Sequence, residues 1–70
     1  MKQQLAIDMN GEPIYRGSVV WYREQGLGIV VGPGISYRDE IRIETRWITQ
    51  IRWGCNDTLD FHRKYVRVVA

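Results

Sequence analysis

Between Ile41 and Trp53 one parity reads Ile41, Ile43, Thr45, Trp47, Thr49, Ile51 and Trp53, while Arg42, Glu44, Arg46, Gln50 and Arg52 occupy the other. Successive side chains of an extended backbone point to opposite faces, so this alternation makes a sheet with one buried and one wet face. A helix would spread both classes around its circumference. Thirteen residues exceed the usual strand. A break near Ile48, Thr49 and Gln50 is therefore expected, leaving two strands in place of one.

The rest of the chain obeys the same rule. Eight Ile and seven Val dominate the apolar set, and glycine or proline punctuates the chain at Gly11, Pro13, Gly17, Gly26, Gly28, Gly32, Pro33, Gly34 and Gly54. Short β-rich runs between turn residues read as an all-β sandwich or barrel. Leu5, Ile7 and Met9 alternate as a first strand, and Asn10-Gly11 supplies a tight turn. Pro13 confines Ile14-Tyr15 to an edge or an irregular crossing. A second strand is expected from Ser18 to Arg23, a turn over Gln25 to Gly28, and a third strand from Leu27 to Val31. Gly32-Pro33-Gly34 ends it, and a loop runs through Ser36 to Asp39. Gly54 to Asp57 reads as a turn, Asp57 or Thr58 as the cap of one short helical turn through Phe61, and Tyr65 to Val69 as a closing strand. The expectation is one domain over residues 1–70, a small, strongly bent barrel of five to six strands. Closing the sheet hides edges that would otherwise recruit other chains.

Size and composition remove most chemistries. A chain of 70 residues buries only roughly 60% of its unfolded surface, which leaves one thin core and no private substrate cavity. One cysteine, Cys55, and one histidine, His62, build neither a disulfide nor a metal cage, and no cofactor is expected. The lack of disulfides favours a reducing cytoplasm. No apolar run approaches the roughly 20 residues of a membrane span, and Leu5-Ala6-Ile7 is too short for a signal-peptide core. No acyl-transfer triad or nucleotide motif is available. Gly26-x-Gly28 reads as a hairpin turn, and Asp57 with Asp60 as turn and cap residues. One enzymatic class stays open: small barrels that assemble around a shared catalytic pore, as plasmid-borne dihydrofolate reductases of this size do. That family's pore strand is not visible here.

Two motifs carry a resemblance. Asp8-Met9-Asn10-Gly11, with Ile14, Gly17 and Val20, resembles the D-x-N-G-x-x-I-x-x-G-D-x-V opening of small phage and prophage proteins of the YopX type, with Ser18 in place of the Asp. Gly17 to Tyr22, and then Gly26-Leu27-Gly28-Ile29-Val30, is similar to the opening of Tudor-like and KOW-like barrels. Examples are the polymerase-interacting domain of CarD and the C-terminal module of UvrD-type helicases. Ile51-Arg52-Trp53-Gly54, Leu59 and Val66 loosely match their closing strands. The resemblance spans about two-thirds of the chain and rests on turn glycines and core valines. It implies a module binding protein or nucleic acid in a phage or bacterial setting, with no catalytic residue to carry over.

Three candidate surfaces emerge. The Tudor-like pattern places Val20, Tyr22 and Val30 inward, which leaves Val19, Trp21, Ile29 and Val31 as an outer apolar stripe. Such a stripe marks an interface, for a foreign protein or a second copy of the chain, unless the N-terminal strand folds over it. Trp21 is then the anchor. The second surface is basic. Up to Glu40 the chain is net −1, and from Ile41 onward net +3; Arg42, Arg46, Arg52, Arg63, Lys64 and Arg67 would attract phosphates, with Tyr37 stacking on a base. Solvated cross-strand pairs, such as Glu44 with a neighbouring Arg, explain the same residues. The third would be an aromatic cage, but Trp47 and Trp53 lie on the apolar parity and are expected in the core. His62 reads as a surface residue after the helical turn, and Cys55 as a partly buried turn residue. The favoured reading is a non-enzymatic protein-binding module, with nucleic-acid binding second and a pore-site enzyme third.

Overall fold

The computed structural model describes residues 3–35, 40–48 and 52–70, and for residues 52–55 the backbone alone. Its elements are β1 (Ala6–Ile7), β2 (Pro13–Ile14), β3 (Val19–Tyr22), β4 (Gly26–Pro33), β5 (Arg42–Trp47), β6 (Arg52–Thr58), α1 (Leu59–Tyr65) and β7 (Val66–Val68). Five strands form one antiparallel sheet in the order β6-β5-β4-β3-β7, and β1 pairs with β2 in a separate two-stranded ribbon. The sheet curls into a half-barrel, so the small, strongly bent all-β fold is as expected.

The curl comes from connectivity. β6 and β7 are the two edges of the sheet, yet only α1 separates them in sequence. Seven helical residues span about 10 Å, so the edges must approach one another. Thr58 caps α1 by accepting from the Phe61 amide at 3.3 Å, while Asp60 in the first turn and Arg63 and Lys64 in the last complement the helix dipole. The helix runs twice as far as the single turn expected.

Along β3 to β5 the inward residues are Val20, Val30, Ile43 and Trp47, joined by Ala6, Ile14 and Val66 in one buried cluster. Thr45 shares that face. The three-residue loop Arg23-Glu24-Gln25 joins β3 to β4: the Gln25 amide donates to the Tyr22 carbonyl at 3.0 Å, and Gly26 comes next at φ 83°. That left-handed residue is why glycine closes this hairpin. The turn therefore lies earlier than expected. Gly28 belongs to β4 itself, where a Cβ would stand 2.6 Å from Cε3 of Trp47 and 2.9 Å from Cγ2 of Thr45. Its absent side chain makes room for the indole. Gly28→Ala should therefore displace Trp47 and lower stability by about 2 kcal/mol, read as a lower denaturation midpoint; an unchanged midpoint would mean the indole moves freely.

Two expectations are corrected. Gly54 to Asp57 is not a turn but part of β6, with Asp57 opposite Ile43 and Asn56 opposite Glu44. The long alternation does break in two, and a register shift between Thr45 and Trp47 adds one residue to β6 there. Ile51 lies outside the described residues, as do the side chains of Trp53 and Cys55. The alternation of the first strand also fails beyond Leu5, which packs against the core. Ala6 and Asp8 are buried, whereas Ile7 is 37% and Met9 53% exposed.

That failure has a chemical cause. Asp8 is 3% exposed, and its carboxylate accepts three backbone amides: Asn10 at 2.9 Å and Glu12 at 2.7 Å on Oδ1, and Val68 at 2.8 Å on Oδ2. The first two close an Asx-type turn around Asn10 and Gly11. The third fastens that turn to β7, sixty residues away in sequence, where the carboxylate occupies an amide on the sheet's edge. The Met9 amide adds a bond to the Val66 carbonyl at 2.8 Å.

Candidate functional site

Strand pairing builds the outer face in rows. Val19 stands opposite Ile29 and Ile29 opposite Arg46; Leu27 stands opposite Trp21 and Trp21 opposite Arg67. The middle of the convex face is thus aliphatic and aromatic, bounded by one arginine on β5 and one on β7. Ile29 and Leu27 are each 38% exposed, while Val19, Trp21 and Val31 are half-buried. Val31 sits where β4 shifts register against β5. Ile48 and Val69, both exposed, extend the apolar surface beyond the stripe expected from sequence.

The N-terminal ribbon leaves this stripe open. Ala6 and Ile14 join the core cluster with Val20 and Val30, which puts β1 and β2 on the concave side. The alternative in which the first strand covers Trp21 and Ile29 is not what the fold adopts.

The basic residues do not share one environment. Arg67 lies over the Trp21 ring, its guanidinium carbon 5.1 Å from the centroid, a cation–π arrangement that holds both side chains on the outer face. Arg46 is exposed beside Ile29. Arg42 is half-buried and donates to Glu40 at 2.8 Å. Arg63 and Lys64 are exposed on α1, with Lys64 3.6 Å from Asp60; such a solvated pair is worth little. Tyr37 and the Arg52 side chain lie outside the described residues.

A feature that the sequence did not reveal lies at the Trp21 end of the stripe. A groove of about 580 Å3 runs from Trp21 over the β3–β4 hairpin to the end of α1, lined by Met9, Trp21, Tyr22, Arg23, Glu24, Lys64 and Tyr65. Aromatic packing shapes its floor. Tyr22 meets Phe61 edge-on at 4.8 Å between centroids, and Phe61 meets Tyr65 at 5.3 Å. The Tyr22 hydroxyl donates to Glu24 at 2.7 Å, and this bond to a carboxylate holds its pKa above the ordinary tyrosine value. The signal available in sequence was the aromatic trio Tyr22, Phe61 and Tyr65, two of them four residues apart on one helix face.

His62 is the other correction. It is fully buried, and among the described residues neither ring nitrogen has a hydrogen-bond partner. Loss of solvation lowers its pKa from 6.5 to about 4. Leu59, His62 and Val66 fall at helical spacing toward the core, a stripe too short to detect as a period. Among the described residues no three His, Cys, Asp or Glu side chains group to hold a metal, and no helix is long and apolar enough to cross a membrane.

No protein-family model, no curated protein and no solved structure matches this chain, so its own residues carry the functional reading.

Proposed function

We propose that this chain is a non-enzymatic binding module that recognises a protein through the convex face of β3 and β4, with Trp21 as the anchor. One observation carries the reading: in one apolar row Leu27 and Ile29 are exposed and Val19 and Trp21 half-buried, while Ala6 and Ile14 of the N-terminal ribbon pack into the core on the other face. Contiguous exposed apolar surface rimmed by polar groups is the usual mark of an interface, and Trp and Arg are its usual energetic centres. The sole histidine is sealed in the core, away from any substrate in solution, which speaks against acid–base catalysis by that residue. The likeness to YopX-type and Tudor-like openings supplies a setting. It suggests a phage or prophage accessory protein in the bacterial cytoplasm, acting on a host assembly such as the transcription machinery.

The test uses paired variants. Ile29→Asp and Trp21→Glu should each weaken partner retention from a bacterial lysate by about thirtyfold, as loss of a central anchor does. Arg63→Glu on the helix should leave it unchanged. Retention that survives both stripe variants would contradict the reading. Retention abolished by nuclease would transfer the role to nucleic acid and the arginines. If the partner is a second copy of the chain, sedimentation of the pure protein becomes concentration-dependent, and Trp21→Glu removes that dependence.

A further inference from the structure

We infer that the groove between the β3–β4 hairpin and the end of α1 receives an extended acidic segment of the partner protein, with one apolar side chain lodged against Met9, Trp21 and Tyr65. This rests on the outer-face reading, because Trp21 belongs to both the stripe and the groove. The groove's volume of about 580 Å3 falls within the roughly 300–1,000 Å3 of ordinary ligand sites. Two of its apolar lining residues, Met9 and Tyr65, are more than half exposed. Neither is needed to fill the core. The observed exposure of Met9 results from the Asp8 staple, which turns that side chain outward.

Charge decides the chemistry of the occupant. Arg23 and Lys64 line the groove and Arg67 lies over Trp21 at its end, against one acidic lining residue, Glu24. Glu24 is already held by the Tyr22 hydroxyl. Among the described residues Lys64 pairs with an exposed Asp60 at 3.6 Å, a contact that an incoming carboxylate displaces at small cost. A carboxylate-bearing segment therefore meets Arg23 and Lys64 in the groove, with Arg67 beyond it on Trp21, and its apolar anchor meets aromatic and thioether surface. A nucleic-acid strand is disfavoured because the face adjoining the groove, Val19, Leu27 and Ile29, is aliphatic and offers successive bases nothing to stack on.

A random linear-peptide display library panned on the folded chain reads this chemistry directly. The same library is panned on Tyr65→Ser, Lys64→Glu and Ile29→Asp, each shown to be folded by its amide spectrum; Tyr65 and Lys64 are exposed, so both variants should fold. Enriched sequences should carry an aromatic or branched aliphatic residue flanked by Asp and Glu. A synthetic peptide of that sequence should shift the Trp21 indole resonance and bind Lys64→Glu about tenfold more weakly. No enrichment, enrichment of basic or uncharged sequences, or binding unchanged in Tyr65→Ser and Lys64→Glu overturns the inference. Peptides lost on Ile29→Asp but kept by Tyr65→Ser overturn the groove assignment while leaving the outer-face reading intact. Oligothymidylate that shifts the same resonance at lower concentration than the acidic peptide overturns both.

Discussion

Asp8→Ala should leave the protein only marginally stable, with a readily measured unfolded fraction at physiological temperature. The carboxylate accepts the amides of Asn10, Glu12 and Val68, and a hydrogen bond to a charged group contributes roughly 1.5–3 kcal/mol. Removing it also leaves the amide of half-buried Val68 without its partner. Allowing for non-additivity within one network, the loss is about 4 kcal/mol. A domain of this size has a total stability on the order of 5 kcal/mol, so little remains. Asp8→Asn separates the two halves of the device. Its amide oxygen still serves Asn10 and Glu12, but its NH2 group now faces the Val68 N–H, donor against donor. The expected result is an intermediate loss of about 2 kcal/mol, with the Val68 amide exchanging quickly in hydrogen exchange while those of Asn10 and Glu12 stay protected. A loss below about 1 kcal/mol in Asp8→Ala would show that the N-terminal ribbon is held by its apolar contacts alone.

The same residue explains where the sequence reading succeeded and where it failed. Alternation was reliable in β5, because Ile43, Thr45 and Trp47 face the core and Arg42, Glu44 and Arg46 do not; one physical term, burial, decided every position. Around β1 the alternation of Leu5, Ile7 and Met9 did not mark one buried face: Leu5 packs against the core, but Ile7 and Met9 are exposed. There a single carboxylate with three amide donors outweighed the burial of Ile7 and Met9. The Asp-x-Asn-Gly spacing held the clue, since an Asp two residues before a turn Asn commonly bonds its own backbone. Gly54 to Asp57 misled for the opposite reason. Turn-forming residue types lie in β6 because pairing with β5 satisfies their backbone, and Asn56 Oδ1 accepts the Ile35 amide at 3.2 Å. The outer stripe was legible because β3 and β4 are apolar on both parities and a curled sheet has one interior. The groove was not. Met9, Trp21 and Tyr65 meet only because α1 bridges the two sheet edges, a closure that no local pattern encodes.

That closure also buries His62, and acid should expose the consequence. The imidazole is fully buried without a hydrogen-bond partner among the described residues, next to the edge of the Phe61 ring at 5.9 Å. Burial lowers its pKa from 6.5 in the unfolded chain to about 4 in the fold. Above pH 6.5 both states carry the neutral ring, and the stabilisation is fully present. As pH falls from 6.5 toward 4 the unfolded chain takes up a proton that the fold refuses, so stability declines. Below about 4 the folded form also binds the proton and the decline ends. One pKa unit corresponds to about 1.4 kcal/mol, so the full swing is about 3 kcal/mol. His62→Leu keeps similar bulk, removes two unpartnered polar atoms and should be neutral or stabilising at pH 7. The difference between wild type and variant, measured by denaturant unfolding across this range, isolates the histidine from the carboxylates that titrate in both proteins. It should grow steadily from pH 7 to 4 and then level off. A difference that stays flat would mean α1 opens enough in the native state to let water reach the ring, and the groove at its end would then be a mobile surface in place of a preformed one.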